Sequence, residues 1–279
     1  MNFSRRDMLK LTAGSTVLWA TGVRTSLAAS AKKIPIGLQL YSVRQDCGKD
    51  LPGVLAAVGK MGYQGVEFAG YYGRTAKQLR ELLDANGLKC CGTHTGLNTL
   101  LGDQLKATIE FHKTLGNKFL IVPGLGKEHL GTADAIKKTA KLFTDLADKV
   151  EADGMRVGYH AHGGDFAKID GQTKWEILFG NAGPKVVMQM DLGNCLGGGG
   201  DPIAMLEKFP GRALTIHLKE HGGKKGAPVG EGVVNWKRVF ELCETTGKTE
   251  WYVVEQEAYA GPALDSCKQC LDNLKKMGK

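Results

Sequence analysis

A repeat of pattern, rather than of residues, most constrains what this chain can fold into. From Ile34 onward a short β-type apolar run, a Gly-marked loop and a stretch of helical periodicity follow one another along the chain. The apolar runs fall at 36–41, 65–69, 89–95, 119–123, 156–162, 186–192, 214–220 and 251–257. Helical periodicity occupies 51–61, 75–86, 103–115, 133–152, 201–208, 236–246 and 262–276. Eight strand-like runs spaced about 25 to 40 residues apart predict an α/β fold of the (β/α)8 TIM-barrel type, which takes about 250 residues. The 279 residues, 42% of them hydrophobic, can fill such a core. A doubly wound open sheet is the competing fold. Against it, the first run is not followed by G-x-G-x-x-G, and the chain has no G-x-x-x-x-G-K-[ST] phosphate loop. No shift of composition divides 34–279, so the barrel is read as a single domain over 32–279.

Residues 1–31 read differently. Ser4-Arg5-Arg6-Asp7-Met8-Leu9-Lys10 sets two arginines before a modestly apolar stretch, and small residues follow at Ser26, Ala28, Ala29 and Ala31. That is the layout of a removable export signal, and it resembles the twin-arginine type. The expected location is periplasmic, or otherwise exported by that route, with no membrane association beyond the signal. No apolar run approaches the roughly 18 residues of a spanning helix. The formal net charge of +8 falls to +5 beyond residue 30, with 33 basic against 28 acidic residues, a weak excess that argues against nucleic acid as partner. Seven cysteines in irregular spacing predict buried thiols rather than a disulfide framework or a zinc site.

In a barrel the chemistry sits at the carboxyl ends of the strands. Here the fifth run ends Gly158-Tyr159-His160-Ala161-His162, the sixth Gln189-Met190-Asp191-Leu192-Gly193-Asn194, the seventh Thr215-Ile216-His217-Leu218-Lys219 and the eighth Val253-Val254-Glu255-Gln256-Glu257. Side chains alternate faces along a strand, so if Gly158, Gln189, Thr215 and Val253 point inward, His160, Asp191, His217 and Glu255 do too. One step further in the same phase come His162, Lys219 and Glu257. Two imidazoles and two carboxylates in one phase and at matching depth predict a site for one divalent metal ion, and the donor set admits Mn, Fe, Co, Zn or Mg. Glu67 and His94, at the ends of the second and third runs, are expected at the same mouth as substrate-binding residues.

These residues resemble the sugar phosphate isomerase/epimerase superfamily, the xylose isomerase-like barrels. The resemblance runs from Ile36-Gly37-Leu38-Gln39-Leu40-Tyr41 to Val254-Glu255-Gln256-Glu257. It rests on Gly65-Val66-Glu67, Tyr159-His160-Ala161-His162, Asp191-Leu192-Gly193-Asn194, Gly200-Asp201-Pro202, His217-Leu218-Lys219-Glu220 and Gly230-Glu231-Gly232 with Trp236. It implies one divalent metal held by His160, Asp191, His217 and Glu255, with Glu255 also moving protons, and a substrate role for Glu231 and Glu257. His160 stands where many epimerases carry Glu, and Asn194 where a His often follows. The Tyr-His-x-His segment is similar instead to the inosose dehydratase branch. The implied partner is a sugar or keto-sugar, and the implied assembly is a homo-oligomer, for which no segment identifies an interface.

Isomerisation, epimerisation and dehydration of a keto-sugar all begin with loss of the proton beside the carbonyl. Glu255 is the expected base, His162 the expected acid, and Lys219 the group that polarises a carbonyl or holds an oxyanion. An isomerase or epimerase and a lyase or dehydratase stand nearly even, and a non-catalytic sugar-binding protein of the cell envelope is the rival from another class.

Overall fold

The eight apolar runs become strands somewhat shorter than the runs, because polar residues at several run ends turn the chain off the ladder. The structure, a computed structural model, describes residues 33–279, so the export signal expected over 1–31 lies outside the described residues. The strands are β1 (Ile36–Gln39), β2 (Gly65–Phe68), β3 (Lys89–His94), β4 (Phe119–Val122), β5 (Arg156–His160), β6 (Val187–Asp191), β7 (Thr215–Leu218) and β8 (Trp251–Val254). All pair in parallel with their neighbours, and β8 pairs with β1 to close the barrel. At the end of β1 the Gln39 side chain accepts the Tyr41 N–H at 3.0 Å and starts a 3-10 turn over Leu40–Val43. At the end of β6, Asp191 accepts the Asn194 N–H at 2.7 Å and caps the helix that follows.

The helices are α1 (Arg44–Met61), α2 (Ala76–Ala85), α3 (Gln104–Leu115), α4 (Lys127–Leu130), α5 (Ala133–Glu151), α6 (Lys174–Asn181), α7 (Leu192–Gly197), α8 (Pro202–Lys208), α9 (Trp236–Thr245) and α10 (Ala263–Lys276). Helix α1 starts before the periodicity at 51–61 because two helical pieces join across a kink at Asp50, just ahead of Pro52. Between β5 and β6 stand a hairpin (Lys168–Ile169 with Gln172–Thr173) and α6, started by a Thr173–Glu176 capping box. None of the described helices is long and apolar enough to cross a membrane.

The apolar faces of the long helices cover the outside of the barrel; on α5 these are Ile136, Ala140, Phe143, Ala147 and Val150. Inside, Phe119, Ile121 and Val187 pack with Leu214 and Trp251. Further along the strands the lumen turns polar, with Gln39, Glu67, Gln189 and Thr215 fully buried. A bulge between β2 and β3 pairs Val66 with Cys90 but Glu67 with Gly92, leaving Cys91 as the extra residue. It resets the alternation so that Cys91 and His94 both face the lumen. Gly92 makes room there: a Cβ on it would stand 2.3 Å from Glu67 Oε1. All seven cysteines are free and buried.

One buried cation holds the outer layer. Arg212 donates to the carbonyls of Phe179 (2.7 Å), Gly183 (2.8 Å), Val186 (3.2 Å) and Ala182 (3.3 Å), which close the end of α6 and the entry to β6. Lysine cannot reproduce that fork. Arg212→Lys is expected to lower stability by about 2 to 4 kcal/mol, the cost of leaving buried acceptors unmet. Urea unfolding checks it, and a loss below about 0.5 kcal/mol would show that water serves those carbonyls equally well.

Candidate functional site

The strand register assembles the site. Asp191 of β6 pairs with His217 of β7, but His160 pairs with Gln189 and His217 with Val253. The stagger of the strands around the barrel, rather than equal register, brings the four residues together. His160, Asp191, His217 and Glu255 each offer a donor atom, all within 4.8 Å of one another and all buried. His94 joins His160 and His217 in an overlapping group of three imidazoles.

Each imidazole is oriented by a partner on its far side. His217 Nε2–H donates to Glu67 Oε2 at 2.5 Å, which turns Nδ1 toward Glu255 Oε2 (3.2 Å) and Asp191 Oδ2 (3.9 Å). Glu67 is saturated, since Gln39 Nε2 donates to Oε2 at 2.7 Å and Gln189 Nε2 to Oε1 at 2.8 Å. The Gln189 amide is fixed by the same network, because its NH2 also serves Thr215 Oγ1 at 2.9 Å. Its carbonyl must then accept from His160 Nδ1–H (3.1 Å) and His94 Nε2–H (3.2 Å). The neutral His160 ring is thereby held as the tautomer whose bare Nε2 faces Glu255, 4.0 Å away. A carboxylate or amide behind each imidazole is the arrangement that orients metal ligands. Glu67 and Gln189 are in this sense positioning residues.

The charges are unevenly shared. Burial would lower the His217 pKa, but Glu67 and Glu255 outweigh it and push it up to about 10. Burial raises the Glu255 carboxyl, yet His217, His160 and Lys219 overcome this and hold it well below the usual carboxylate range. Asp191 goes the other way: burial lifts it well above that range, against the pull of Lys219 and with the help of Glu255. Burial lowers His160 and His94. A divalent cation fits this set on two counts. Donors of the right type converge, and the buried Asp191 Oδ2 has no hydrogen-bond partner among the described residues.

Lys219 reaches the rim of the cluster, donating to Asn194 Oδ1 at 2.9 Å and to Glu257, with Glu255 Oε2 at 3.6 Å and Asp191 Oδ2 at 3.8 Å. Burial alone would lower its pKa, but Asp191, Glu255 and Glu257 raise it above the usual lysine value. His162 is exposed, its ring edge-on to His160 with centroids 4.8 Å apart. Glu231 is not brought to this group: it accepts from Gln269 (2.9 Å) and Asn273 (3.1 Å) on α10. The loop that carries it is gathered by Glu220, which accepts the N–H groups of His221, Gly230 and Val234 and the Trp236 indole N–H.

Sequence reasoning assigned no role to Gln39 or Gln189. The signal was present, since both stand in phase with inward glycine or threonine positions, but neutral amides do not advertise chemistry. Gln189→Leu is expected to leave the barrel folded and to weaken divalent-metal affinity by about 10- to 100-fold, as loss of a ligand's orienting partner does. Calorimetric titration with Mn2+ checks it, and unchanged affinity would remove Gln189 from the site.

The described geometry agrees with three comparisons. A family model described as xylose isomerase-like TIM barrel matches residues 55–277. An inosose dehydratase from Lacticaseibacillus casei is 27% identical over 237 residues, covering 70% of this chain and 78% of that protein. Among solved structures, a sugar phosphate isomerase/epimerase from Parabacteroides distasonis superposes with a TM-score of 0.76 at 27% identity, over 88% of this chain and 98% of that one. The IOLI protein, solved with a zinc atom, shares the fold with a TM-score of 0.63 at 16% identity, over 86% of this chain and 98% of that one.

Proposed function

The chain belongs to the xylose isomerase-like TIM barrel family, and from that premise we propose that it is a metal-dependent enzyme that removes the proton next to the carbonyl of a sugar or keto-sugar. The observation that carries this reading is the juxtaposition of an ionised Glu255 with Lys219 and two oriented imidazoles inside one polar lumen. His160, Asp191, His217 and Glu255 would hold one divalent cation, and the zinc bound by the IOLI protein is consistent with such an ion. When bound there, the cation supplies Lewis-acid stabilisation of the negative charge that builds on the carbonyl oxygen.

Glu255 takes the proton from the carbon beside the carbonyl, the electron pair of that C–H bond forms a carbon–carbon double bond, and the carbonyl π pair moves onto the oxygen. Lys219, a cation at the rim, stabilises that oxygen or a neighbouring hydroxyl. In isomerisation or epimerisation the proton then returns to carbon. In elimination the electron pair instead expels the hydroxyl on the next carbon, which leaves as water with a proton from His162.

A specific observation favours the elimination reading. Glu67 is spent on Gln39, Gln189 and His217, Glu257 is engaged by Lys219, and burial pushes the Asp191 carboxyl toward its neutral form. That leaves Glu255 as the carboxylate in the described cluster that is both ionised and placed to act as a base. One base and one acid suit a dehydratase, the activity named for the Lacticaseibacillus casei relative. Export by the twin-arginine route belongs to the same proposal and is tested by fractionating cells that express the full chain.

The test is to quantify bound divalent metal and to incubate the protein in D2O with a panel of keto-sugars and inososes. Metal near one per chain and deuterium at the carbon beside the carbonyl support the reading. A new ultraviolet enone band selects elimination over isomerisation. No exchange on any substrate would promote a sugar-binding role instead.

A further inference from the structure

Beside the cluster lies a second space. A cavity of about 440 Å3 opens between the loop after β4 and the loop after β5, with His162 in its wall. His162 is also the residue whose ring abuts His160, so the cavity adjoins the site laterally. Its volume is in the range of small-ligand pockets and would hold a substituent of several heavy atoms. Nothing lies within 4 Å of where a side chain would start at Gly124 or Gly164, which keeps both loops clear of the space.

The wall is cationic. Lys127 and Lys174 line it, and neither is among the ion pairs found within 4.0 Å in the described residues. Elsewhere on the surface lysines are commonly paired, as Lys113 is with Asp153, Lys185 with Asp148 and Lys208 with Glu176. The acid in this wall, Asp165, is buried and already engaged: Tyr159 OH donates to both of its oxygens at 3.2 Å, and the His162 N–H to Oδ2 at 2.8 Å. Two cations without a direct ion pair therefore face a space whose lone lining acid, Asp165, feels the charge of Lys174 but has its acceptors occupied by Tyr159 and the His162 N–H. Charge of that sign raises the local concentration of anions and orients them.

We infer that the substrate carries an acidic substituent, a carboxylate or a phosphate, which sits between Lys127 and Lys174 while the reacting carbons sit at the cluster. This rests on the proposed proton abstraction and adds the class of substrate to it. The substituent is held apart from Glu255, where like charge would repel it. Lys127 and Lys174 would be specificity residues with no part in the bond changes.

Two measurements test this on the full chain. In the first, inorganic phosphate and then acetate are titrated while the amide resonances of Gly124, Gly126 and Gly164 are followed. Saturable shifts in the wild type that vanish in a Lys127→Met/Lys174→Met double variant are expected. Absence of shifts with either anion, or shifts that persist in the variant, would overturn the subsite whatever the enzyme turns over. In the second, kcat/KM is compared for matched pairs: a neutral keto-sugar, its ketouronate and its phosphate ester. At least one acid should be preferred about tenfold, and that preference should collapse toward unity in the double variant; which acid it is identifies the source of the charge. A loss shared equally by neutral and acidic substrates would overturn the inference. If phosphate is bound through the lysines but no substrate exchanges deuterium, the proposed reaction fails while the anion subsite stands.

Discussion

Glu255→Gln is expected to abolish deuterium uptake into the substrate, with kcat lowered by about a thousandfold, inside the roughly 10²- to 10⁴-fold range of a general base. The residue is suited to the role because His217 at 3.2 Å and Lys219 at 3.6 Å keep it charged in spite of its burial. Both contacts converge on Oε2. Glutamine keeps the shape and one oxygen donor but cannot take a proton. Metal content must be measured on the same sample, because Glu255 is both expected base and expected ligand. Retained metal with lost exchange assigns the base. Exchange within tenfold of the wild type would move that role to another group, and loss of metal with loss of exchange would make ligation the dominant effect.

The second large effect is thermal. Asp191→Asn is expected to melt at or slightly above the wild type when both are free of metal, and to gain nothing when Mn2+ or Co2+ is added. Burial and the neighbouring Glu255 make the Asp191 charge costly on its own, and its Oδ2 has no partner among the described residues. Asparagine preserves the acceptor for Asn194 N–H that caps α7. In the wild type, metal at a hundred times its Kd should add about 2.7 kcal/mol, or about 5 to 10 °C in Tm for a domain of this size. Equal shifts in the two proteins would show that the cation binds elsewhere. Activity should follow, with a loss on the order of a thousandfold if Lewis-acid stabilisation is worth about 4 kcal/mol.

The barrel was legible because its evidence is periodic. Alternation within each run and helical spacing between runs survive reading one residue at a time, and the four clustered donors were found by the same phase argument. What escaped depends on contacts between distant segments. The extra residue Cys91 in β3 is an ordinary apolar position until its partner strand is known, yet it decides that His94 faces inward. Glu67 reads as a mouth residue by position, but Gln39, Gln189 and His217 enclose it completely. Glu231 lies in a glycine-rich motif next to site residues in sequence, and the loop held by Glu220 turns it onto α10. Helix α4 and the hairpin before α6 are too short to leave a periodic trace.

The bonds around Glu67 have a kinetic meaning. They join β2 to β1, β6 and β7 across sequence separations of 28, 122 and 150 residues. Contacts of such range form late, after most of the chain's loop entropy has been lost. His217 is therefore unaimed in any partly closed intermediate, and tight metal capture becomes a signature of the completed ring. In a refolding experiment the ion would act as a clock for the final closure, and fragments lacking either end of the barrel would fail to capture it.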